Sequence, residues 1–484
     1  MSKVVVIGAG VSGLAVAARL ASSGFEVHVY EKNAFAGGKV SAVRIADYIW
    51  DIHPNQTINL SELKKLYRDC RQSFQRYIKP RPYIEKTDFV YASGQVLSTT
   101  FQTNSLASEI NNKLNEPRRH VTNYLADAKH VYKLLLRQTE LPRAILHSSE
   151  TLRAISRGPL QLLTRNLHAE NQRRFARPES QWFFDRSAQL RGSDPARAPA
   201  FIMYESYVEQ TSKRYFFKGG FHTLTSSLCR LAADCGVVIH YSEEVKKITH
   251  QNGQVTGIIT PKGWVEANVV VSAIDIGMLY REMLPATKRI QKYALAERSL
   301  STITFCWGIR KKIKKLSTYS VFLSGDPKLE QKKLWKQQEL PNDPTISVTI
   351  QSRMHKQYAS SGGEAWVVQV AVPSLRGQRD WPGRMRQVVL DKLTAQLGVQ
   401  IEELIDYETV LTADDLEQQF GLNHGSLYGA ASHKLRPTLF RHPNASPDFG
   451  KLYFVGETVR PGPGLTLALC SAETVAAKIR TEEK

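Results

Sequence analysis

Four apolar residues, Val4 to Ile7, run straight into a glycine ladder, Gly8, Gly10 and Gly13, in the stretch VVVIGAGVSGLAVAARL. A short apolar run followed at once by G-x-G-x-x-G reads as a buried parallel strand turning sharply into a helix. Gly8 permits the turn, Gly10 lets the backbone approach a pyrophosphate, and Gly13 lets the helix pack on the strand. The helix is expected over 13–23, with Leu14, Ala17, Ala18 and Ala21 on one face, and a second strand over 26–30. Glu31 closes that strand, 18 residues past Gly13. A carboxylate there accepts hydrogen bonds from both hydroxyls of an adenosine ribose and repels a 2′-phosphate. A bare glycine ladder could be a tight turn at a sheet edge. A strand before it, a helix after it and an acid at this spacing point instead to a dinucleotide cradle.

The cradle accounts for little of a chain of 484 residues, and a single core stops growing at roughly 250–300, so two or more packed units are expected. Residues 61–163 read as mostly helical and polar, with β-like pieces near 89–96. A glycine pair opens a helix at 221–234, followed by a strand at 237–241, a hairpin turning on Asn252-Gly253 and a buried strand at 269–273. EAWVVQVAVPS, 364–374, is a strand. The end of the chain repeats the opening grammar: a strand at 452–455, a glycine-rich loop at 456–464 and a helix at 465–479.

The net charge of +20 attracts nucleic acid or anionic lipid headgroups, or marks a generally basic surface. No nucleic-acid reading module is present and the basic residues are not interleaved with stacking aromatics, so nucleic acid is not the expected partner. Between 141 and 197 stand ten arginines and no lysines, several beside apolar residues. Such a helix can lie on lipid, or simply show a solvated face. RKKIKK, 310–315, is a second candidate for phospholipid, or a basic loop tip. No run of roughly 18 apolar residues occurs and no secretory leader is recognisable, so any membrane contact is expected to be peripheral. Five scattered cysteines without a CxxC pair argue against a disulfide framework or a zinc site and fit a reducing compartment; no metal is expected.

Gly37, Gly38 and Lys39 follow the ribose acid, a second glycine turn with a cation that can wrap the far side of a pyrophosphate. The pattern GxGxxG, then EK, then GGK resembles the amino terminus of the amine oxidase, protoporphyrinogen oxidase and phytoene desaturase superfamily. LYFVGETVRPGPGLTLALCSAETVAAKI resembles the closing motif of its bacterial carotenoid desaturases. FFDRSAQLRGSDPARAPAF and RYFFKGGFHTLTSSLCRLAADCGVVIHYSEEVKKI resemble their middle segments, and GSLYGAASHKLRPTLFRHPN is more similar to desaturases of hydroxylated carotenoids than to the phytoene enzymes.

The resemblance implies FAD as cofactor. It places Glu31 and Lys32 at the ribose, and Gly37, Gly38 and Lys39 at the phosphate and flavin side. Val245 falls along the cofactor, and Gly456 and Glu457 at the ribityl chain. Gly462, Gly464, Leu465 and Thr466 fall where the backbone passes the flavin ring. The chain departs from the family pattern at His53, which replaces a glycine in WDIHP, at Arg460, where histidine is frequent, and at Thr466, where proline is frequent.

The implied fold is α/β: a Rossmann-like FAD-binding domain assembled from 1–75, 216–280 and 416–484, with a discontinuous substrate domain. Of the latter, 76–215 is helical and membrane-facing and 281–415 is the second part. The implied activity is FAD-dependent removal of two hydrogens from an acyclic or monocyclic carotenoid, as in a hydroxycarotenoid 3,4-desaturase, with oxygen or a quinone as electron acceptor. A hydrocarbon has no acidic proton for a base to take, so hydride transfer to the flavin is expected, with few polar catalytic residues. His53, His424, His433 and Tyr428 are the candidates for a direct role, His424, His433 and Tyr428 at an oxygenated substrate end. Alternatives are a phytoene desaturase, an amine or porphyrinogen oxidase, and a flavin-binding, lipid-associated protein without turnover. The expected location is cytoplasmic, attached peripherally to the inner face of a membrane.

Overall fold

The computed structural model describes residues 2–52, 60–83, 85–139, 161–285, 296–433 and 441–483. Its opening strand, Lys3–Ile7, is the middle strand of a five-stranded sheet ordered Leu452–Phe454, Val269–Ser272, Lys3–Ile7, Glu26–Tyr30 and Val238–His240, with every pair parallel. Val4 and Val6 enter one core while Val5 and Ile7 enter another, which is why the strand is apolar without alternation. The sheet draws its strands from the beginning, the middle and the end of the chain. The first core is closed by the helices Val11–Ala21, Thr223–Asp234 and Leu465–Glu482, through Leu14, Ala18, Leu228 and Val475 among others.

The first helix begins at Val11 rather than Gly13, because Gly10 already caps it in extended backbone. The hairpin expected at Asn252-Gly253 joins Lys247–Gln251 to Gln254–Thr260, both turn residues having positive φ.

A second sheet of seven strands is ordered Ile405–Leu411, Ser301–Ile309, Glu364–Val372, Ile346–Ile350, Tyr319–Phe322, Thr87–Val90 and Val96–Thr99. It is antiparallel except where Tyr319–Phe322 runs beside Thr87–Val90. The helix Trp381–Leu397 covers one part of it through Met385, Val389 and Leu393. A helical layer formed by Thr103–Leu114, Arg118–Thr139, Pro178–Gln189 and Tyr204–Thr211 packs on the other end around Phe89, Phe183, Phe184 and Val321.

Asp51, from the WDIHP segment, ties the two parts together. Its buried carboxylate accepts the amides of Phe221 (2.7 Å) and His222 (3.0 Å) just ahead of the helix Thr223–Asp234. It also accepts the Tyr358 hydroxyl (2.8 Å).

Six of the arginines expected to lean on lipid are paired inside the protein. Arg165, Arg173 and Arg174 converge on the buried Glu170, Arg186 and Arg191 meet Glu209 and Glu205, and Arg197 meets Glu297. Arg143, Arg153 and Arg157 lie outside the described residues. In RKKIKK the apolar residue Ile313 turns into the core, leaving Lys311, Lys312 and Lys314 exposed. Among the described residues, no helix is long and apolar enough to cross a membrane.

Candidate functional site

The carboxyl ends of the parallel strands open into a cavity of ≈ 330 Å³, the place where ligands bind in open parallel sheets. One end is lined by Tyr30, Glu31, Lys32, Asn33, Glu244 and Val245, the middle by Gly8, Gly10, Ser12, Gly37 and Gly38, and the other end by Lys39, Tyr428, Glu457, Gly464 and Leu465.

Two glycines are fixed by close packing. A Cβ on Gly13 would lie 2.0 Å from the Gly8 carbonyl oxygen, so helix and strand meet backbone to backbone. Gly37, at φ +119°, donates its amide to the Ala9 carbonyl (2.9 Å), and a Cβ there would strike the Val40 carbonyl and the Thr225 hydroxyl. Gly10 is different: a Cβ would meet no protein atom within 4 Å, because this face looks into the cavity.

Glu31 is buried. One carboxylate oxygen accepts the Ala9 amide (2.9 Å) and the other accepts the amide and side chain of Asn33 (3.0 and 2.9 Å), which holds the acid against the glycine loop. Lys32 donates to the Gln418 carbonyl, and burial lowers its ammonium. At the opposite end Lys39 contacts Glu457 and donates to the Leu427 carbonyl (3.0 Å), while Glu457 accepts the Gly464 amide (3.0 Å). Burial lowers the Lys39 ammonium to about 8, against the pull of Asp275; it is protonated at neutral pH, and its contact with Glu457 is an ion pair.

These residues fit a dinucleotide. The helix Val11–Ala21 starts with no side-chain cap, so its first amides are free to face a phosphate, and Gly10 leaves the approach clear. Asp275 lines the cavity with a buried carboxylate oxygen, Oδ2, that has no hydrogen-bond partner among the described residues, while its other oxygen caps Gly277 and Met278. Sequence reasoning missed Asp275. It stands just past the strand Val269–Ser272, much as Glu31 stands past its own strand, and that parallel could have found it.

Of the cofactor candidates, Gly13, Gly462 and Thr466 do not line the cavity; Gly13 lies against Gly8 beneath the loop, Gly462 lies against Arg441, and Thr466 lies within the first turn of the last helix.

The catalytic candidates divide. Tyr428 lines the cavity, its amide donating to the Ser299 hydroxyl (3.0 Å), and burial raises its phenol. His424 does not line this cavity; it stands at φ +56°, its amide donating to Glu417 (3.1 Å). Burial and the neighbouring Arg376 and Arg281 hold its imidazole down. His433 does not line it either. Its Nε2 accepts the Asp194 amide (2.9 Å), its Nδ1 faces Glu297 (3.1 Å) and Trp335 packs on the ring, so both nitrogens are committed to holding segments together. His53 lies outside the described residues.

At the Tyr428 end, then, the cavity offers no uncommitted histidine among the described residues, and Glu457 is already held by an ammonium and an amide. Such a site can grip a dinucleotide, and Asp275 Oδ2 is a carboxylate oxygen on its wall that no described residue engages.

Comparison with known proteins agrees with this geometry. Residues 11–480 match the family model described as flavin containing amine oxidoreductase. The chain is 33% identical to a 1-hydroxycarotenoid 3,4-desaturase from Flavobacterium sp., covering 98% of both chains. It is 27% identical to a 4,4'-diaponeurosporene oxygenase from Staphylococcus aureus, covering 99% and 98%. Among solved structures, a putrescine oxidase superposes with a TM-score of 0.67 at 14% identity, covering 99% of each chain. Cyclohexylamine oxidase from Brevibacterium oxydans superposes at 0.63 with 16% identity over the full length of both. At those identities the superpositions speak for the fold alone. With the dinucleotide cradle in place and a family match over nearly its whole length, the chain belongs to the flavin containing amine oxidoreductases and is an FAD-dependent oxidoreductase.

Proposed function

We propose that this protein is a carotenoid desaturase that introduces a carbon–carbon double bond into an acyclic or monocyclic hydroxycarotenoid at the 3,4 position. The observation that carries the reading is the 33% identity to a 1-hydroxycarotenoid 3,4-desaturase over 98% of both chains. When bound, FAD supplies a two-electron acceptor, which matches a substrate that must lose two hydrogens as a hydride and a proton.

The chain's own residues bind and orient. Glu31 holds the ribose, the glycine loop and the uncapped helix receive the pyrophosphate, and the Lys39–Glu457 pair braces the loop at Gly464. Tyr428 and Leu465 form part of the wall at the reacting end. A hydrocarbon substrate has no acidic proton for a base to take, so its activation depends on placement and dryness. Oxygen or a quinone would accept the two electrons removed from the substrate.

We place the protein on the cytoplasmic face of a membrane, attached peripherally. A substrate dissolved in lipid, the net charge of +20 and the exposed Lys311, Lys312 and Lys314 support that location.

Expression in a pigment-free host supplied with different carotenoid precursors tests the reading. A red shift in absorption with a hydroxylated acyclic precursor, and none with phytoene, is the expected result. A shift with phytoene would reassign the substrate, and no shift with any carotenoid would overturn the reading.

A further inference from the structure

One buried charge has no part in the machinery described so far. The Arg441 guanidinium donates to the main-chain carbonyls of Tyr428 (3.0 Å), Glu457 (3.3 Å) and Ala430 (3.5 Å). Among the described residues no carboxylate contacts it, and its side chain is almost wholly shielded from solvent. Tyr428 and Glu457 both line the cavity at the end away from Glu31. Gly462 packs on the same guanidinium, where a Cβ would come within 3.5 Å of Nε. The charge therefore sits behind the wall at the Tyr428–Glu457 end of the cavity, the end that the resemblance gives to the flavin ring.

The charges around it cancel in pairs. Lys39 is matched by Glu457, and Arg191 by Glu205. Asp275 is held by the amides of Gly277 and Met278, with Arg298 at 3.6 Å. Arg460 reaches the Arg441 carbonyl through its Nε (3.1 Å) and adds positive charge on the same side. Burial lowers the Arg441 guanidinium to about 10, with Arg191 adding to the effect and Tyr204 and Asp275 opposing it. It is charged at neutral pH. A buried cation without an acid is costly, and a fold that keeps one beside a binding cavity points to a use for it.

We propose that Arg441 is a positioning charge for the cofactor: from behind the Tyr428–Glu457 wall it stabilises the negative charge that FAD gains on taking two electrons, and so raises the reduction potential. The electrons come from the C–H bonds broken in the substrate. Arg441 exchanges neither proton nor electron and acts through its field alone, which is strengthened by a dry, low-dielectric wall. The inference rests on FAD as cofactor and not on which polyene is oxidised, so it stands or falls separately from the substrate assignment.

The test is the two-electron reduction potential of the FAD-loaded protein, with the affinity for sulfite, an anion that adds to oxidised flavin, as a second reading. Arg441→Gln keeps the hydrogen-bonding character and removes the charge. The equilibrium for reduction is expected to fall about tenfold, equivalent to ~30 mV for two electrons, and sulfite affinity is expected to fall in parallel. Arg441→Lys restores the charge, and its potential at pH 6 is expected to lie close to the wild type and above that of Arg441→Gln. An Arg441→Gln protein that binds FAD with unchanged potential, whether or not its melting temperature drops, would overturn the proposal. If Arg441→Gln does not fold, an Arg441→Met protein that binds FAD with unchanged potential would overturn it equally.

Discussion

The cradle around the parallel sheet and the helical layer around Phe184 are held together by different means. In the cradle, backbone meets backbone. Gly13 lies against the Gly8 carbonyl, Gly37 against Val40, and the Glu31 carboxylate is pinned by main-chain amides. In the helical layer, charged side chains close the structure. Glu170 gathers Arg165, Arg173 and Arg174, and Glu116 accepts the amides of Ala176 and Arg177 from about 60 residues away in sequence. The lesson is a division of labour. The cofactor cradle is closed by main-chain packing at Gly13 and Gly37 while Gly10 stays open to the cavity, whereas the helical layer is set by ion pairs on buried acids.

The largest effect separates two neighbouring glycines. Gly13→Val places side-chain atoms where the Gly8 carbonyl already stands, so soluble, yellow protein should be lost almost entirely, read by expression yield and flavin absorbance. Gly10→Ala adds a methyl that meets only the cavity. The melting temperature of the apoprotein should hold, while FAD affinity falls about a hundredfold, ~2.7 kcal/mol, by fluorescence titration. If both variants lose stability alike, the cradle is not selective in the way described.

Next in size is the ionic knot. Glu170→Gln leaves three arginines without their buried partner and should destabilise the protein by about 3 kcal/mol in denaturant unfolding. FAD affinity should change by less than about twofold, because no part of the knot lines the cavity. A parallel loss of FAD would erase the distinction between the regions.

The same acid fixes a pH response. Burial raises Glu170, but Arg173, Arg174 and Arg165 outweigh it and hold the carboxyl down to about 2; Arg376 and Arg281 do the same for Glu417 against its burial. Their folded values lie below the ordinary 4.5, so their contribution to stability is present above that value and is lost as pH falls toward 2. Stability should decline through that window, and less steeply in Glu170→Gln. A variant curve of unchanged slope would contradict the assignment.

The smallest effect concerns the surface. Replacing Lys311, Lys312 and Lys314 by Gln should weaken binding to anionic vesicles several-fold, at ~1 kcal/mol or less per lysine, and leave FAD binding unaltered. Equal binding of wild type and variant would remove RKKIKK from the membrane-facing surface.

The same contrast explains what could be read from the chain beforehand. Glycine positions report close approaches directly, so the strand, turn, helix and ribose acid from Val4 to Glu31 were legible, and the loop at 456–464 with them. Asp275 was overlooked because its strand ends without a glycine ladder. The partners of His424 and His433 could not be read from the chain, because Asp194 and Glu297 reach His433 from distant segments and the acid beside His424 also takes Arg281. The arginines at 165–197 looked available to lipid because the acids that take them are brought in by tertiary packing, and spacing along a helix does not show that. The seven-stranded sheet pairs Thr87–Val90 with Tyr319–Phe322, strands 232 residues apart in the chain, a pairing that alternation alone does not announce.

The central claim is that this FAD-dependent protein removes two hydrogens from a carotenoid and adds no oxygen. The direct measurement is incubation of the purified, FAD-loaded protein with a 1-hydroxycarotenoid in anionic liposomes with a quinone and without oxygen, followed by mass analysis of the pigment. The account predicts a product lighter by two hydrogens, with a red-shifted spectrum. A product that has gained oxygen when air is admitted, or no change in the pigment under either condition, would contradict it.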